Sequence, residues 1–438
     1  MPFHETRSGD TGPEERAYLV GVKLPGSTFE EEEENLEELA LLSRTAGAEV
    51  RGSTIQQRTR IDGSTYIGSG KLEQLEKVVE EDGVNLVVFD DDLSPAQARN
   101  IEKHLQVNVI DRTELILDIF SRRARTRQAR IQVEIAQLEY ALPRLRRLWD
   151  HLSRQAGGIG TRGPGETQLE VDRRKVRERI ASLRRELRRI DGRARERRKS
   201  RGEMFNVTVV GYTNAGKSTL LNRMAGAEVL ESGMLFSTLD STTRRVEFPG
   251  GGEFLLTDTI GFIRKLPPHL VASFHATLLD VEEADLLLHL VDASAPRAAE
   301  RIRVVDDVLR KVLGDPHPGE EGELAGTILV LNKTDLLDEE ARRGLAARYP
   351  GASMVSAATG EGTGSLLGRI EEISESGSVT AEIVVPASDG RAISEVEGSA
   401  RVIERRVEGE EMVFRVRMKR KDIARIERSA SLRIITSG

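Results

Sequence analysis

The feature that most constrains this chain is an apolar strand that runs directly into a glycine-rich loop containing a lysine. The strand VTVV (207–210) leads into GYTNAGKST, which matches the pattern G-x-x-x-x-G-K-[ST]. Gly211 and Gly216 let the backbone wrap closely around phosphates, and the amides of the loop and of the next helix face the anion. In such loops Lys217 reaches the β- and γ-phosphates and Ser218 binds Mg²⁺. The sequence therefore predicts a P-loop rather than an ordinary glycine-rich turn.

The segment NKTD (332–335) is expected to select the base of the bound nucleotide. It lies at the end of the apolar strand TILVLN, at the expected edge of the sheet. Asp335 would accept two hydrogen bonds from guanine, whereas adenine presents an acceptor at that edge. Charged hydrogen bonds contribute about 1.5–3 kcal/mol each, so two would favour guanine by roughly 10²–10⁴. We expect Asn332 to support the base and the loop, and Lys333 to cover the ring. The competing interpretation is a surface turn that caps a helix.

Two segments between these motifs predict the Mg²⁺ site and the switch loop. Asp258 begins DTIG and would hold Mg²⁺ through water, while Gly261 ends it and would offer its amide to the γ-phosphate. In FSTLDSTTR we expect Thr238 to close over Mg²⁺ when the γ-phosphate is present, with Thr242 or Thr243 as alternatives. An ordinary Ser/Thr loop is the plainer interpretation of that segment.

The segment SAATG (356–360) completes the predicted site by contacting the base through its backbone. The predicted nucleotide-binding residues are Gly211, Tyr212, Thr213, Asn214, Ala215, Gly216, Lys217, Ser218, Thr219, Phe236, Ser237, Thr238, Asp258, Thr259, Ile260, Gly261, Asn332, Lys333, Asp335, Ser356, Ala357 and Ala358. The predicted Mg²⁺ ligands are Ser218, Thr238 and Asp258, and catalytic roles are assigned to Lys217, Thr238 and Gly261.

A second prominent feature is a heptad pattern rich in arginine. Apolar residues step by four and three from Ile131 to Leu152 and again from Leu169 to Ile190, around the glycine-rich loop QAGGIGTRGPGE. Two such seams predict an antiparallel helical hairpin, kinked in its first arm by Pro143. RARERRKSRG (193–202) has the composition of a linker.

The charge of the chain is concentrated in this hairpin. The net charge is −7, yet residues 122–201 hold 25 Lys+Arg and 10 Asp+Glu, a net of +15 that leaves −22 for the remainder. Such polarity favours a polyanionic partner for one segment, although a solvated face with i,i+4 ion pairs is the alternative. Arginine also suits phosphate and stacks on bases. The predicted RNA-binding residues are Arg144, Arg147, Arg162, Arg173, Arg174, Arg184 and Arg188.

The remaining segments predict two flanking domains. Residues 14–120 alternate strand-like and helix-like runs, which favours a small α/β domain with a largely parallel sheet. Its expected strands are Tyr18–Leu24, Leu86–Asp90 and Val107–Ile110, and its expected helices are Glu30–Ala46, Lys71–Glu81 and Ser94–Leu105. The nucleotide-binding domain spans 203–376, and its expected strands are Asn206–Val210, Phe254–Asp258, Leu286–Asp292 and Thr327–Asn332. A short domain with strand-like runs occupies 379–438. Residues 1–13 predict a disordered tail, and 121–202 hold the hairpin with its linker.

Composition excludes several classes of protein. Cysteine is absent, which rules out disulfides and argues against a structural zinc site. The first residues contain no apolar signal-peptide region, and the most apolar stretch, ADLLLHLV (284–291), is far too short to cross a bilayer. We therefore expect a monomeric cytoplasmic protein without a membrane span, for which peripheral membrane association stays open.

The combination of GGIGTRGPGETQLE (157–170), GYTNAGKST, TLDSTTR, DTIGFI and NKTD resembles the HflX family of translation-associated GTPases. The resemblance extends over nearly the whole chain from about Glu14 onward, and departs from many members at Ser241, where they have proline. It implies an α/β protein with a Ras-like P-loop GTPase domain, an N-terminal α/β domain, an antiparallel helical hairpin and a small C-terminal α+β domain.

The family resemblance also implies partners. It implies GTP and GDP as ligands, Mg²⁺ as cofactor, and binding to the large ribosomal subunit and its RNA. The implied role is to split or rescue stalled ribosomes under stress. Family members have also been linked to ATP binding by the N-terminal domain, but GSTYIGSGKLEQL (63–75) lacks a full phosphate-binding pattern. The alternatives are an RNA-binding module that uses nucleotide only as a conformational lock, and an RNA-remodelling ATPase.

Position 262 bears on the rate of hydrolysis. Many GTPases place a glutamine after DTIG to orient the attacking water, and Phe262 cannot do this. Intrinsic hydrolysis should therefore be slow and require stimulation. In several GTPases with this pattern an asparagine at the position of Asn214 helps to hold a K⁺ that substitutes for an arginine finger. The alternative is that Asn214 only stabilises the loop.

The K⁺ hypothesis predicts that GTP is hydrolysed faster in KCl than in NaCl, because only K⁺ would supply the missing positive charge at the phosphates. The measurement is the rate of phosphate release in the two salts at equal ionic strength. Equal rates would remove the hypothesis and leave Asn214 with a structural role.

Overall fold

The computed structural model describes residues 15–145, 166–199, 204–226, 235–236, 238–265, 280–313, 326–376, 378–419 and 433–436. The chain divides into two compact units. The first comprises Met1–Ile190, Ser232–Asp240 and Ile263–Ala276, and the second comprises Asp191–Glu231, Ser241–Phe262 and Thr277–Gly438. The boundaries expected at residues 120, 202 and 376 are finer than this division and stay predictions.

The first unit contains a four-stranded parallel sheet with the strand order β2-β1-β3-β4. Its strands are β1 (Arg16–Lys23), β2 (Glu49–Gln57), β3 (Leu86–Phe89) and β4 (Asn108–Asp111). Its helices are α1 (Phe29–Thr45), α2 (Ser69–Glu81), α3 (Pro95–Leu105) and α4 (Arg112–Arg123). Parallel strands need crossover connections, which explains the alternation seen in the sequence. The central strand β3 is wholly apolar and buried, as expected for a parallel sheet covered on both faces.

The expected strands and helices of this domain are confirmed to within about two residues, but β2 and α4 were not predicted. The sequence of β2, EVRGSTIQQ, has few apolar residues because β2 is an edge strand and is only half buried. The position of β2 is therefore determined by its hydrogen bonds to β1, and the hydrophobic pattern of its own sequence does not reveal it.

The hairpin helices pack through the apolar seam. They are α5 (Arg127–Ala141) and α6 (Glu166–Lys199). The residues that form the cluster between them are Ile131, Ile135, Leu138, Val176, Ile180, Leu183, Leu187 and Ile190. The linker expected at 193–202 is wrong as far as Lys199, because α6 continues through those residues as a helix. The first α-helix ends at Ala141 and a 3₁₀ turn, Leu142–Arg144, follows, because Pro143 has no N–H to continue the α-helical ladder. The expected continuation to Leu152 lies outside the described residues beyond 145.

The second unit contains a six-stranded sheet with the order β10-β9-β8-β5-β7-β6, in which only β6 runs antiparallel to its neighbour. Its strands are β5 (Asn206–Gly211), β6 (Thr242–Glu247), β7 (Glu253–Asp258), β8 (Leu286–Asp292), β9 (Thr327–Asn332) and β10 (Ser353–Met354). Its helices are α7 (Lys217–Met224), α8 (Ala298–Leu313), α9 (Glu339–Arg348) and α10 (Thr363–Ser376). Strands β5, β7, β8 and β9 confirm the four that the sequence predicted, whereas β6 and the two-residue strand β10 were not predicted.

The C-terminal part of the second unit is an antiparallel sheet with a helix on one face. The strands, in the order β12-β13-β11-β14, are β11 (Ser378–Pro386), β12 (Arg401–Glu408), β13 (Glu411–Lys419) and β14 (Arg433–Thr436). Helix α11 (Gly390–Ser399) contributes Ala392 and Val396 to a core with Ile383 and Phe414. This is the small α+β domain that the sequence predicted. No helix among the described residues is long and apolar enough to cross a membrane.

A buried polar network fastens α5 to the N-terminal sheet. The Tyr140 hydroxyl bonds to Asp111 Oδ1 at 2.9 Å and to Glu114 Oε2 at 3.1 Å. Arg144 donates to Asp111 Oδ2 at 3.1 Å, and its guanidinium lies 3.6 Å from the centre of the Tyr140 ring. Burial, reinforced by the neighbouring charge of Asp111, raises the pKa of Glu114 to about 7.

This raised pKa predicts that the first unit loses stability as the pH rises from about 5 to 7.5. A folded-state pKa above the ordinary value of 4.5 means that the folded protein binds more protons than the unfolded chain across that interval. The free energy of unfolding should fall by up to about 1.4 kcal/mol per pH unit for this one group. Calorimetric unfolding of wild type and Glu114→Gln at several pH values measures it. A wild-type slope that persists in Glu114→Gln would contradict the assignment.

Candidate nucleotide-binding site

The second unit brings three loops together at one edge of its parallel sheet. Strand β5 ends at Gly211, and β8 and β9 end side by side because Asp292 pairs with Asn332. Loops that follow the carboxyl ends of parallel strands share that edge, where ligands of open α/β sheets bind. The P-loop, the NKTD segment and the SAATG segment are thus neighbours although they are far apart in sequence.

Two glycines of the P-loop are required by close packing. A Cβ added at Gly211 would lie 2.1 Å from the Leu290 carbonyl oxygen, and one at Gly216 would lie 2.3 Å from Asn332 Nδ2. Gly216 also has φ of +93°, a conformation that residues with a side chain rarely adopt. The P-loop predicted from the sequence therefore packs closely against the ends of β8 and β9.

Asn332 joins the three loops through one buried side chain. Its Nδ2 donates to the Ala215 carbonyl at 2.7 Å, and its Oδ1 accepts from the Ala357 N–H at 2.9 Å. Asn332 is 1% exposed, so losing either bond would leave a buried amide group unsatisfied. The P-loop, NKTD and SAATG are therefore held in fixed positions relative to one another.

The lysine of NKTD is restrained by a residue that sequence analysis missed. Lys333 Nζ lies 2.7 Å from Asp292 Oδ2, and Lys333 has φ of +62°. The other carboxylate oxygen of Asp292 accepts from the N–H of Ser294 at 3.0 Å and from its hydroxyl at 2.6 Å. Asp292 thus limits where the side chain of Lys333 can lie. In the sequence, only the position of Asp292 at the end of the apolar run of β8 could have indicated this role.

Arg223 is a second functional residue that the sequence did not reveal. It lies in α7, directly after the P-loop, and its Nε donates to the Ala357 carbonyl at 3.2 Å. Its guanidinium also donates to the carbonyl of Ala358. These bonds hold SAATG against the helix that begins at the P-loop. An arginine in a short helix carries no distinctive pattern, and its partners are more than 130 residues further along the chain.

The residue expected to select guanine is accessible. Asp335 lies in a single 3₁₀ turn, Thr334–Leu336, and is exposed. The neighbouring SAATG loop is rigid, because Ser356 is fully buried and its Oγ accepts from the Thr359 N–H at 3.1 Å. An exposed carboxylate beside a rigid backbone loop is the arrangement that reading a base edge requires.

The expected Mg²⁺ ligands of the second unit are adjacent. Ser218 Oγ lies 2.7 Å from Asp258 Oδ2, and Asp258 is 1% exposed. Hydroxyl and carboxylate oxygens are the donors that Mg²⁺ prefers, so this pair fits the ion. Thr243, an alternative to Thr238, is instead part of β6 and shares a hydrogen bond of 2.9 Å with Thr257. A threonine fixed in the sheet does not suit a closing switch loop.

Lys217 is buried at the start of α7. It is 7% exposed, and its Nζ donates to the Tyr212 carbonyl at 2.9 Å. Burial lowers the pKa of Lys217 to about 8, while the charge of Asp258 acts in the opposite direction. A phosphate group would add negative charge and hydrogen-bond acceptors, which favours the protonated lysine.

The segment after Asp258 pairs with the P-loop. The Thr213 N–H donates to the Phe262 carbonyl at 2.7 Å, and the Phe262 N–H donates to the Gly211 carbonyl at 3.0 Å. Phe262 is 5% exposed. The side chain at the position of the usual catalytic glutamine is therefore packed into the protein and cannot face a water molecule.

Some predicted site residues belong to the first unit. Phe236 is buried there and its ring meets Phe120 edge-on at 4.8 Å between centroids. Thr238 belongs to the same unit, and Ser237 lies outside the described residues. Their contact with nucleotide stays a prediction.

The arginines predicted to bind RNA fall into different environments. Arg144 is only 16% exposed and donates to Asp111 and to the Leu93 carbonyl, so it holds the N-terminal domain together and is removed from the RNA-binding set. Arg184 and Arg188 are both exposed, but Arg184 pairs with Glu139 at 2.6 Å. Arg173 is half-buried and Arg174 is exposed. Arg147 and Arg162 lie outside the described residues.

Comparison with protein families matches three consecutive parts of the chain. Residues 33–121 match the family described as GTP-binding GTPase N-terminal, and residues 123–201 match GTP-binding GTPase Middle Region. Residues 206–333 match the family described as 50S ribosome-binding GTPase. These three matched regions correspond, in chain order, to the N-terminal domain, the hairpin and the P-loop domain.

Similar proteins carry one name across distant bacteria. The GTPase HflX of Magnetococcus marinus is 43% identical over 403 residues, covering 91% of this chain and 90% of the relative. The GTPase HflX of Escherichia coli is 44% identical and covers 74% of each chain. Among solved structures, a GTP-binding protein of Sulfolobus solfataricus in complex with GDP is 22% identical, with a TM-score of 0.43 over 82% of this chain and 98% of that one.

The site geometry predicts that Asp335→Asn changes base selection without changing folding. The exposed carboxylate would be replaced by an amide that can donate to the 2-carbonyl of xanthine and can no longer accept two hydrogen bonds from guanine. GTP affinity should fall by roughly 10²–10⁴ and XTP affinity should rise. Calorimetric titration with GTP, XTP and ATP measures this, and undiminished GTP binding would exclude Asp335 from the site.

Proposed function

The chain belongs to the HflX family of GTPases and hydrolyses GTP, and we propose that this hydrolysis controls its binding to the large ribosomal subunit. The proposed outcome is dissociation or rescue of stalled ribosomes under stress. The observation that carries the proposal is a row of exposed arginines on α6, within a chain whose P-loop domain matches a family described as ribosome-binding.

Helix α6 has the charge of an RNA-binding element. It contains 14 Lys+Arg and 7 Asp+Glu, a net of +7. Arg177, Arg185, Arg188 and Arg189 are exposed and have no acidic partner among the described residues. Ribosomal RNA presents a dense array of phosphates, and each phosphate that a cation neutralises releases counterions. Among the described residues of α6, these four arginines are therefore the side chains that we expect to contact RNA.

Other arginines of the same helix are already neutralised. Arg179 lies 2.7 Å from Glu134, and Arg184 lies 2.6 Å from Glu139. Both pairs connect α6 to α5, so they stabilise the hairpin. Pairing with α5 thus accounts for part of the charge of α6 and leaves a distinct set of arginines for a partner. The i,i+4 pairs of the alternative interpretation are represented by Arg174 and Glu178, whose charged groups lie 3.9 Å apart.

The nucleotide would control this binding through the residues around the third phosphate. Ser218 and Asp258 would hold Mg²⁺, which supplies charge neutralisation between the β- and γ-phosphates. Lys217 and the P-loop amides bind the phosphates, and Gly261 offers an N–H to the γ-phosphate. Loss of that group on hydrolysis removes the acceptor that orders Gly261 and the switch loop.

Hydrolysis by the isolated protein should be slow, because the packed Phe262 side chain orients no water. The backbone hydrogen bonds of Phe262 with Gly211 and Thr213 hold this residue next to the P-loop. The ribosome would accelerate the reaction by altering this segment or by contributing groups of its own. Stimulation by ribosomes is therefore part of the proposal.

The proposal predicts that ribosome binding depends steeply on salt and on particular arginines. Arg185→Ala with Arg188→Ala should weaken co-sedimentation with large subunits and reduce the slope of log K against log salt by about 2. The matched control, Arg179→Ala with Arg184→Ala, removes the same charge from the same helix at ion-paired positions. Its effect on the slope should be clearly smaller.

The nucleotide state forms the second arm of this experiment. Binding should be tighter with a non-hydrolysable GTP analogue than with GDP, and ribosomes should raise the rate of GTP hydrolysis, which Lys217→Ala abolishes. Gradient sedimentation of intact ribosomes then shows whether subunits separate. Salt-insensitive binding, or equal hydrolysis with and without ribosomes, would overturn the proposal.

A further inference from the structure

We propose that the hydroxyl group of Thr213 contacts the γ-phosphoryl group of GTP and so contributes to recognition of the triphosphate and to its hydrolysis. Thr213 is the third residue of the P-loop, where the loop passes closest to Gly261. The proposal depends on the GTPase activity of the family but not on the ribosome as partner.

The first observation is that the Thr213 hydroxyl is buried without a partner. Thr213 is 4% exposed, and its Oγ1 forms no hydrogen bond with any of the described residues. Nearly all buried hydroxyls in folded proteins are hydrogen-bonded, and leaving one unsatisfied costs about 1–3 kcal/mol. The N–H of the same residue is already used by the Phe262 carbonyl at 2.7 Å. The hydroxyl is therefore a buried polar group of Thr213 that a ligand could satisfy.

The second observation is where the side chain lies. A Cβ built on Gly261 would be 2.8 Å from Thr213 Cγ2 and 2.9 Å from Lys217 Nζ. Thr213, Gly261 and Lys217 thus surround one small volume. Lys217 binds the β- and γ-phosphates of nucleotides in P-loops, so the side chain of Thr213 lies next to the expected position of the terminal phosphate.

The chemistry of the contact suits a threonine. A hydroxyl donates to a phosphate oxygen and accepts a second bond at the same time. The γ-phosphoryl oxygens gain or redistribute charge as the bond to the β-phosphate breaks, and a fixed donor stabilises them. Phe262 offers no polar atom from its side chain, so the hydroxyl of Thr213 replaces part of what a glutamine there would supply.

The second unit contains a matched control. Thr327 Oγ1 is also buried and has no hydrogen-bond partner in the described part of the chain. Thr327 begins β9 and Asn332 ends it, which separates Thr327 from the nucleotide loops by about 16 Å at 3.3 Å per residue. Removing this hydroxyl tests the effect of an unsatisfied group that lies far from the site.

The test compares Thr213→Val, Thr213→Ser and Thr327→Val without ribosomes. Valine keeps the shape of threonine and removes its hydroxyl, whereas serine keeps the hydroxyl. Thermal unfolding without nucleotide should show Thr213→Val as stable as wild type or more so, because the unsatisfied group is gone. Affinity for GDP should stay within about twofold of wild type, since GDP lacks the γ-phosphate.

The affinity of Thr213→Val for a non-hydrolysable GTP analogue should fall by about 10- to 100-fold, the loss expected for one hydrogen bond to a charged group. Single-turnover hydrolysis of GTP should fall at least as much. Thr213→Ser should restore both, and Thr327→Val should match wild type in every nucleotide assay.

Three outcomes would overturn the proposal. Equal weakening of GDP and GTP-analogue binding in Thr213→Val would mean that the side chain only shapes the loop. Unchanged analogue binding would mean that the hydroxyl contacts no phosphate. A Thr213→Ser variant as weak as Thr213→Val would assign the effect to the methyl group. None of these results would bear on whether the protein binds ribosomes.

Discussion

The nucleotide site depends on the side-chain amide of Asn332. It donates to the P-loop at Ala215 and accepts from the SAATG loop at Ala357, and it is itself the first residue of NKTD. The Cβ position of Gly216 lies against the same amide, so the P-loop, NKTD and SAATG share one anchor. A buried amide bonded at both ends is costly to disturb, which makes the distance between the P-loop and the two loops expected to hold the base a fixed property of the fold.

Around that anchor, buried charges prepare the site for an anion. Lys217 is dehydrated and its pKa is lowered to about 8, whereas Asp258 is buried beside Ser218. Each group lacks full solvation in the folded protein. The phosphates of a nucleotide would supply the charge opposite to that of Lys217, and Mg²⁺ would supply the charge opposite to that of Asp258. The unsatisfied hydroxyl of Thr213 follows the same logic, since the ligand completes hydrogen bonding that the protein leaves open.

Several arginines of the first unit stabilise the fold through buried hydrogen bonds and ion pairs. Arg144 was expected to bind RNA, but it stacks on Tyr140 and bonds to Asp111. Arginine composition alone could not distinguish it from Arg188, because both lie in the same basic region and only packing separates them. Arg112 is more extreme, since it is fully buried and paired with Asp90 and Glu38. Counting charges therefore overstated the number of hairpin arginines that are available to a partner, and contact of the hairpin with RNA stays a prediction.

The sequence by itself determined the P-loop, the strand that leads into NKTD, the heptad seam of the hairpin and most strands of the two α/β sheets. These features are local, because a glycine at a tight turn, an apolar run of strand length or a heptad pattern can be recognised within a short stretch of sequence. Only the tertiary structure decided that Arg223 and Asp292 support the base loops, that Thr243 lies in a strand, and that Thr213 is buried without a partner. Each of those depends on residues brought together from distant parts of the chain, and burial at such a meeting point leaves no periodic pattern in the sequence.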